Sequence, residues 1–117
     1  MELRVEPGYE PLAEIMQEAL DQVQHGKGKE RHANERPFVS QTLMNNTRAV
    51  GTGYPCGQAI KKAEELHGMV QRGEYAQAIE ECYGAAVYLL AAAMWIQEVS
   101  GMMGDEPQHG KSNAVIY

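Results

Sequence analysis

Apolar positions recur at intervals of three and four residues along much of the chain, which is typical of amphipathic helices. The first helix is predicted from Pro11 to the residue before Gly26. Proline suits the first turn of a helix and glycine its end, so both boundaries agree with the pattern. Its apolar stripe is Leu12, Ile15, Met16, Ala19, Leu20 and Val23, opposite Glu10, Glu14, Glu18 and Asp21.

Two further helices are predicted in the middle of the chain. The second begins at Pro37 and runs to about Val50, with a break left open at the polar residues 45–47. A glycine-rich loop over residues 51–57 follows, and the third helix runs from Gln58 to about Arg72. Its predicted inward side chains are Ala59, Ile60, Ala63, Leu66, Met69 and Val70.

The fourth helix, from about Tyr75 to Val99, has no charged or strongly polar side chain over the 14 residues 83–96. A helix that is apolar all round is expected to be buried on every side. Fourteen residues are too few for a membrane span, which needs about 20. Full burial then requires a central position or a second subunit, so we expect a homo-oligomer and no membrane partner.

The predicted fold class is all-α, a small helical bundle around this apolar helix, with short strand candidates at residues 2–6 and 113–117. A length of 117 residues indicates a single domain. We divide it into 1–25 (strand and helix one), 26–62 (cationic loops and helix two), 58–100 (helical hairpin core) and 101–117 (tail). No secretion signal is expected from the charged N-terminus.

Charge is segregated along the chain. Seven of the ten Lys and Arg residues lie between His25 and Lys62, with Glu30 and Glu35 as the only acids there. That stretch carries +5 and the remainder −11, which gives the total of −6. Glycines interrupt the cations, and flexible backbone beside positive charge suits a compact anion. The pI near 5.1 makes nucleic acid an unlikely partner.

We therefore predict a site for a small phosphorylated ligand, with a nucleotide as the first choice. Arginine forks match phosphate oxygens, and a tyrosine between glycines suits base stacking. A helix start near Gln58 would add unpaired N–H groups. The candidate ligand-binding residues are Lys27, Lys29, Arg31, His32, Arg36, Arg48, Tyr54, Gln58, Lys61 and Lys62.

Catalysis has weaker support in the sequence, and no catalytic residue, metal or cofactor is predicted. Neither glycine-rich segment fits a phosphate-loop template, because residues 51–57 and 104–112 are each one residue too long. The alternative enzyme is an all-α, Mg²⁺-dependent nucleotide pyrophosphohydrolase with paired glutamates on two antiparallel helices. Its ligands would be Glu64, Glu65, Glu80 and Glu81, but His67 and Gly84 replace half of that motif. A protein-binding module is the other alternative.

Three segments resemble a group of small bacteriophage proteins: residues 26–32 (Gly-Lys-Gly-Lys-Glu-Arg-His), Pro37-Phe38 with Gln41, and residues 57–62 (Gly-Gln-Ala-Ile-Lys-Lys). The resemblance implies a phage origin, a nucleotide-related role and the host cytoplasm as location. Separately from these motifs, the small, helical and oligomeric profile is analogous to viral sponges of host signalling nucleotides, which favours sequestration without turnover. Cys56 and Cys82 form no disulfide framework, which agrees with a reducing cytoplasm.

Overall fold

The computed structural model describes residues 4–26 and 37–101. These residues form four α-helices: α1 (Glu10–His25), α2 (Thr42–Val50), α3 (Gly53–Gln71) and α4 (Tyr75–Ser100). A 3₁₀ turn at Phe38–Ser40 precedes α2. The described residues are 83% helical and contain no strand. The predicted all-α bundle around one long apolar helix is confirmed.

The two terminal strand candidates have different outcomes. Arg4, Val5 and Glu6 adopt no regular structure, so the strand predicted over residues 2–6 does not form in its described half. An isolated strand is unstable without a partner, and the described residues offer none. The candidate at 113–117 lies outside the described residues.

Helix α1 matches the prediction at both ends. Pro11 lies in its first turn, and Gly26 is the cap residue that follows His25. The Gly26 N–H donates to the Gln22 carbonyl at 2.7 Å, which satisfies one of the carbonyl groups at the end of the helix. The helix packs against α4, and none of its side chains is fully buried.

The second predicted helix is interrupted, but earlier than residues 45–47. Gln41 is extended and separates the 3₁₀ turn from α2. The polar residues fit inside α2 because their side chains find acceptors: Asn45 donates to the Ser40 carbonyl at 3.1 Å, and Thr47 to the Leu43 carbonyl at 2.8 Å. The prediction that helix two starts at Pro37 is therefore wrong by five residues.

Helix α3 begins at Gly53, so the prediction of a loop over residues 51–57 is wrong. The connection from α2 is only Gly51 and Thr52, and Gly51 has φ +84°, a conformation that favours glycine. Pro55 lies in the first helical turn, where its missing N–H costs nothing, and it is fully buried. The sequence between Gly53 and Gly57 is thus the opening of the helix.

The core lies where α2, α3 and α4 meet, since α2 packs against both of the longer helices. Met44, Thr47, Pro55 and Ala91 have almost no exposed surface. Helices α3 and α4 form an antiparallel hairpin through Arg72, Gly73 and Glu74, and Gly73 has φ +79°. Ile60 and Val70, predicted to point inward, are exposed because α3 buries only a narrow stripe.

The expected burial of α4 on every side is not found within one chain. Its buried residues are Ala78, Tyr83, Ala91 and Ala92, whereas Leu89, Leu90 and Val99 are each more than half exposed. Among the described helices, α4 alone is long and apolar enough to cross a membrane, with a mean hydropathy of 1.3 over 18 residues. Core helices of soluble proteins share that property, so composition alone does not say what covers α4.

Candidate functional site

The first five predicted ligand-binding residues, Lys27, Lys29, Arg31, His32 and Arg36, lie outside the described residues. The structure does locate both ends of their segment. Residues 27–36, which we call the cationic segment, follow α1 and Gly26 and precede Pro37 and the 3₁₀ turn. His25 and Phe38, two residues beyond each end, line the same groove, which is described below.

Arg48 is engaged by a carboxylate of α4. Its Nε and one terminal nitrogen donate to the two oxygens of Glu98 at 3.0 and 2.8 Å, a bidentate pair. A third nitrogen donates to Asn45 at 3.1 Å. These hydrogen bonds raise the pKa of Arg48 and lower that of Glu98. Arg48 therefore links α2 to the end of α4, and few of its N–H groups remain available to bind a ligand.

Tyr54 and the start of α3 are also occupied. The Tyr54 ring packs edge-on against Tyr88 of α4, with ring centroids 6.1 Å apart. The N–H groups of Tyr54 and Cys56 donate to the carbonyls of Gly51 and Thr52, and Pro55 has no N–H. The predicted helix start near Gln58 lies inside α3, five residues beyond Gly53, so the N–H groups there are used within the helix and do not form the predicted anion site.

Lys61 and Lys62 lie about 12 Å along the axis from the first residue of α3, at 1.5 Å per residue. Lys61 is exposed and lies 4.0 Å from Glu65 on the same helix. Lys62 crosses to α4, where its Nζ is 3.5 Å from Glu81, and both side chains are less than one-fifth exposed. A methyl group on Gly84 would approach the Lys62 chain to 3.0 Å, so a residue without a side chain makes room for it.

Glu81 also meets a second carboxylate, that of Glu65. The hydrogen bond between them raises the pKa of Glu81, with a further rise from partial burial, and lowers the pKa of Glu65. Lys62 favours the charged form of both groups. The site is a three-residue polar contact in which one ammonium group faces two carboxyl groups.

The magnesium ligand set of the alternative enzyme is only half assembled. Glu65 and Glu81 meet, but the described residues contain no group of three or more His, Cys, Asp or Glu side chains placed to hold a metal ion. Glu64 and Glu80 belong to no such group, so no four-carboxylate cluster forms among the described residues. The cation next to the pair is the Lys62 ammonium group.

An apolar groove of about 1220 Å³ lies between α1 and α4. Leu12, Ile15, Met16 and Leu20 form its α1 wall; Ile79, Ala86, Val87, Leu90 and Met94 form its α4 wall. Two polar contacts join the walls. The Tyr83 hydroxyl donates to Glu18, which raises the pKa of Tyr83, and the Gln22 amide donates to the Glu80 carbonyl at 3.3 Å.

The described candidate residues do not face this groove. Arg48, Tyr54, Gln58, Lys61 and Lys62 are absent from its lining. Tyr88, which contacts Tyr54, and Leu90, which lines the groove, lie about 200° apart around α4 at 3.6 residues per turn. The described members of the candidate set therefore lie away from the groove that His25 and Phe38 line.

Sequence reasoning missed the groove, although its signal was present. The apolar stripe of α1 and the all-round apolarity of α4 were both recognised, and burial of α4 by a central position or by a second subunit was predicted, but no groove between these two helices was. Hydrophobic periodicity in the sequence identifies which face of a helix avoids water, but it does not identify what packs against that face. Within the part of the chain that the structure describes, Leu12 and Leu90 stay more than half exposed.

Comparisons of this chain with protein-family models, with curated proteins and with solved structures find no match. The resemblance to small phage proteins therefore stays a prediction based on the motifs quoted above.

Proposed function

We propose that this protein binds a small phosphorylated ligand through the cationic segment 27–36 and sequesters it without turnover. The observation that supports this most directly is the pairing of the cations in the helical part that follows the segment. Arg48, Lys61, Lys62 and Arg72, the four Lys and Arg residues between positions 37 and 101, each have a glutamate within 4.0 Å. Their charge is compensated inside the fold.

The cationic segment has an excess of positive charge. It contains Lys27, Lys29, Arg31 and Arg36 against Glu30 and Glu35, with His32 among them. A net charge of +2 within ten residues, in a chain of net charge −6, attracts a compact anion. Two arginines supply the bidentate geometry that phosphate oxygens favour.

Residues that are already paired within the fold are removed from the proposed site. Lys62 is committed to Glu81, Arg48 to Glu98, and the Tyr54 ring to Tyr88. The sequence-based set of ten residues is thus reduced in our proposal to Lys27, Lys29, Arg31, His32 and Arg36. The resemblance of residues 26–32 to phage proteins favours a nucleotide or cyclic-nucleotide signal within the class of phosphorylated ligands.

The test is ligand binding by the full-length protein. Thermal shift and calorimetry would be run with cyclic dinucleotides, cyclic ADP-ribose compounds and nucleoside triphosphates, with and without Mg²⁺. We expect one class to bind, to bind more weakly as salt rises, and to be recovered intact. A charged hydrogen bond is worth about 1.5–3 kcal/mol, so Arg31→Ala should weaken binding about 10- to 100-fold.

Lys61→Ala is the matched control, because Lys61 is an exposed cation outside the segment and should leave binding unchanged. Equal losses in the Arg31 and Lys61 variants would contradict the assignment of the site. Hydrolysis of the ligand would contradict sequestration and favour the pyrophosphohydrolase. If no phosphorylated compound binds, the proposal fails and an acidic protein becomes the better partner for the segment.

A further inference from the structure

The apolar groove between α1 and α4 has a size and composition that identify its occupant. We infer that the groove is filled by the α1–α4 pair of a second copy of this chain, so that a symmetric dimer has a four-helix core. This inference is independent of the proposed ligand, because it rests on described residues of α1 and α4 alone.

The first argument is the incomplete burial of both walls. Helix α1 has no buried residue, and Leu12, Ile15, Met16 and Leu20 are 46–56% exposed although they face α4. On the other wall, Ile79 and Leu90 are 50% and 63% exposed. Soluble proteins seldom leave a continuous apolar surface of this extent uncovered.

The second argument is size. Small-molecule pockets are about 300–1000 Å³, and this groove of about 1220 Å³ exceeds them. An α-helix about 10 Å across fills such a volume with roughly ten residues. The groove has 18 lining residues, close to the 20–30 per side of a standard protein interface. Its dimensions thus match a helical partner.

The third argument is the alternation of small and large side chains along the groove. Small residues, Ala19 on α1 with Cys82 and Ala86 on α4, alternate with the larger Leu20, Ile79 and Leu90 along the groove. Such ridges and holes accept the side chains of a crossing helix at an axial distance of about 8–10 Å. The uncovered surface is the same in each copy, and a two-fold contact covers both at once.

A bilayer is a poorer occupant than a second copy. The polar side of α1 carries Glu10, Glu14, Glu18 and Asp21 with no Lys or Arg, and the inner leaflet of a membrane is itself anionic. Helix α4 is tied to α3 and α2 by the glutamates Glu81 and Glu98. Insertion of α4 would bring these charged groups into the hydrocarbon region or would break their pairs.

The experiment measures the mass of the full-length protein by light scattering and sedimentation, at about 5 and 100 μM. We expect about 26 kDa, twice the 13.0 kDa of one chain. Leu90→Glu places a charge in each half of the interface and should raise the dissociation constant at least about 100-fold, giving about 13 kDa.

Ile60→Glu is the matched control, because Ile60 is 61% exposed, like Leu90 at 63%, but lies outside the groove. It should stay dimeric. Far-ultraviolet circular dichroism checks that both variants are helical, and Leu90→Ala provides a milder variant if Leu90→Glu unfolds.

Several results would overturn the inference. They are a wild-type mass of 13 kDa at both concentrations, a dimer that persists in the Leu90 variants, and a dimer that Ile60→Glu dissociates equally well. Solubility that requires detergent, together with flotation on neutral vesicles, would also overturn it and make lipid the occupant.

Discussion

The two sides of α4 are covered to very different degrees. On the α3 side, small residues such as Ala91 and Ala92 are buried, and the antiparallel helices pack closely. On the α1 side, larger residues such as Leu90 border an open groove. The same apolar composition therefore serves a closed contact within the chain on one side and a surface that requires a cover on the other.

The α3 side and the α1 side of α4 also differ in their polar contacts. The α3 side is held in register by Lys62 with Glu81 near the start of α4 and by Tyr54 with Tyr88 further along it. Specific pairs of this kind select one alignment of two helices. On the α1 side, the hydrogen bonds between described residues of the two helices come from the Tyr83 hydroxyl and the Gln22 amide, which suits a contact completed by further helices.

The largest expected effect comes from emptying the closed core. Met44→Ala removes a side chain with no exposure and should reduce the free energy of unfolding by about 2–4 kcal/mol, as the transfer and cavity terms add. At a protein concentration too low for dimers, Met16→Ala, which truncates a half-exposed methionine in the groove, should cost less than half as much. Urea unfolding at matched protein concentration measures both. Equal losses would remove the distinction between the two sides.

A smaller effect is expected from the Lys62–Glu81 contact. Lys62→Ala leaves two interacting carboxylates without their cation and removes the aliphatic chain that packs beside Gly84, so we expect a loss of about 1–2 kcal/mol. Its neighbour Lys61 is exposed, and Lys61→Ala should change stability by no more than about 0.5 kcal/mol. If the two variants unfold at the same urea concentration, the buried position of Lys62 does not contribute to the free energy of unfolding.

The smallest effect is a pH dependence at the end of α4. The hydrogen bond from Arg48 lowers the pKa of Glu98 in the folded protein, so its stabilising contribution is present above the unfolded pKa and is lost as pH falls through the folded one. Wild type should have a Tm above that of Glu98→Gln by about 1–3 °C at pH 7, and the gap should close below about pH 4. If the difference in Tm between wild type and Glu98→Gln increased as pH fell, the result would contradict the pairing of Arg48 with Glu98.

Much of the fold could be predicted because helix periodicity is a local property. Pro11 and Gly26 mark the ends of α1, and the hairpin around Gly73 follows from a glycine between two apolar-periodic segments. The start of α3 could not be placed in the same way. Glycines at 51, 53 and 57 suggested a loop, but Pro55 at a buried first-turn position makes the segment helical.

The candidate site was harder to predict because charge pairing depends on distant residues. Nothing near Arg48 in the sequence identifies Glu98, fifty positions later, as the carboxylate that engages it. Lys62 likewise meets Glu81 only after the hairpin folds. Counting cations locates an excess of positive charge, and only the fold shows which of them are neutralised.

The two free thiols lie at positions where their rates of chemical modification can report whether the chain assembles. Cys82 lies on the α4 wall of the groove, Cys56 lies near the start of α3 outside it, and both are exposed. A thiol-modifying reagent should therefore react with both in a monomer, whereas a copy seated in the groove would shield Cys82 alone. The ratio of the two alkylation rates, read by mass spectrometry, would report assembly without any engineered label.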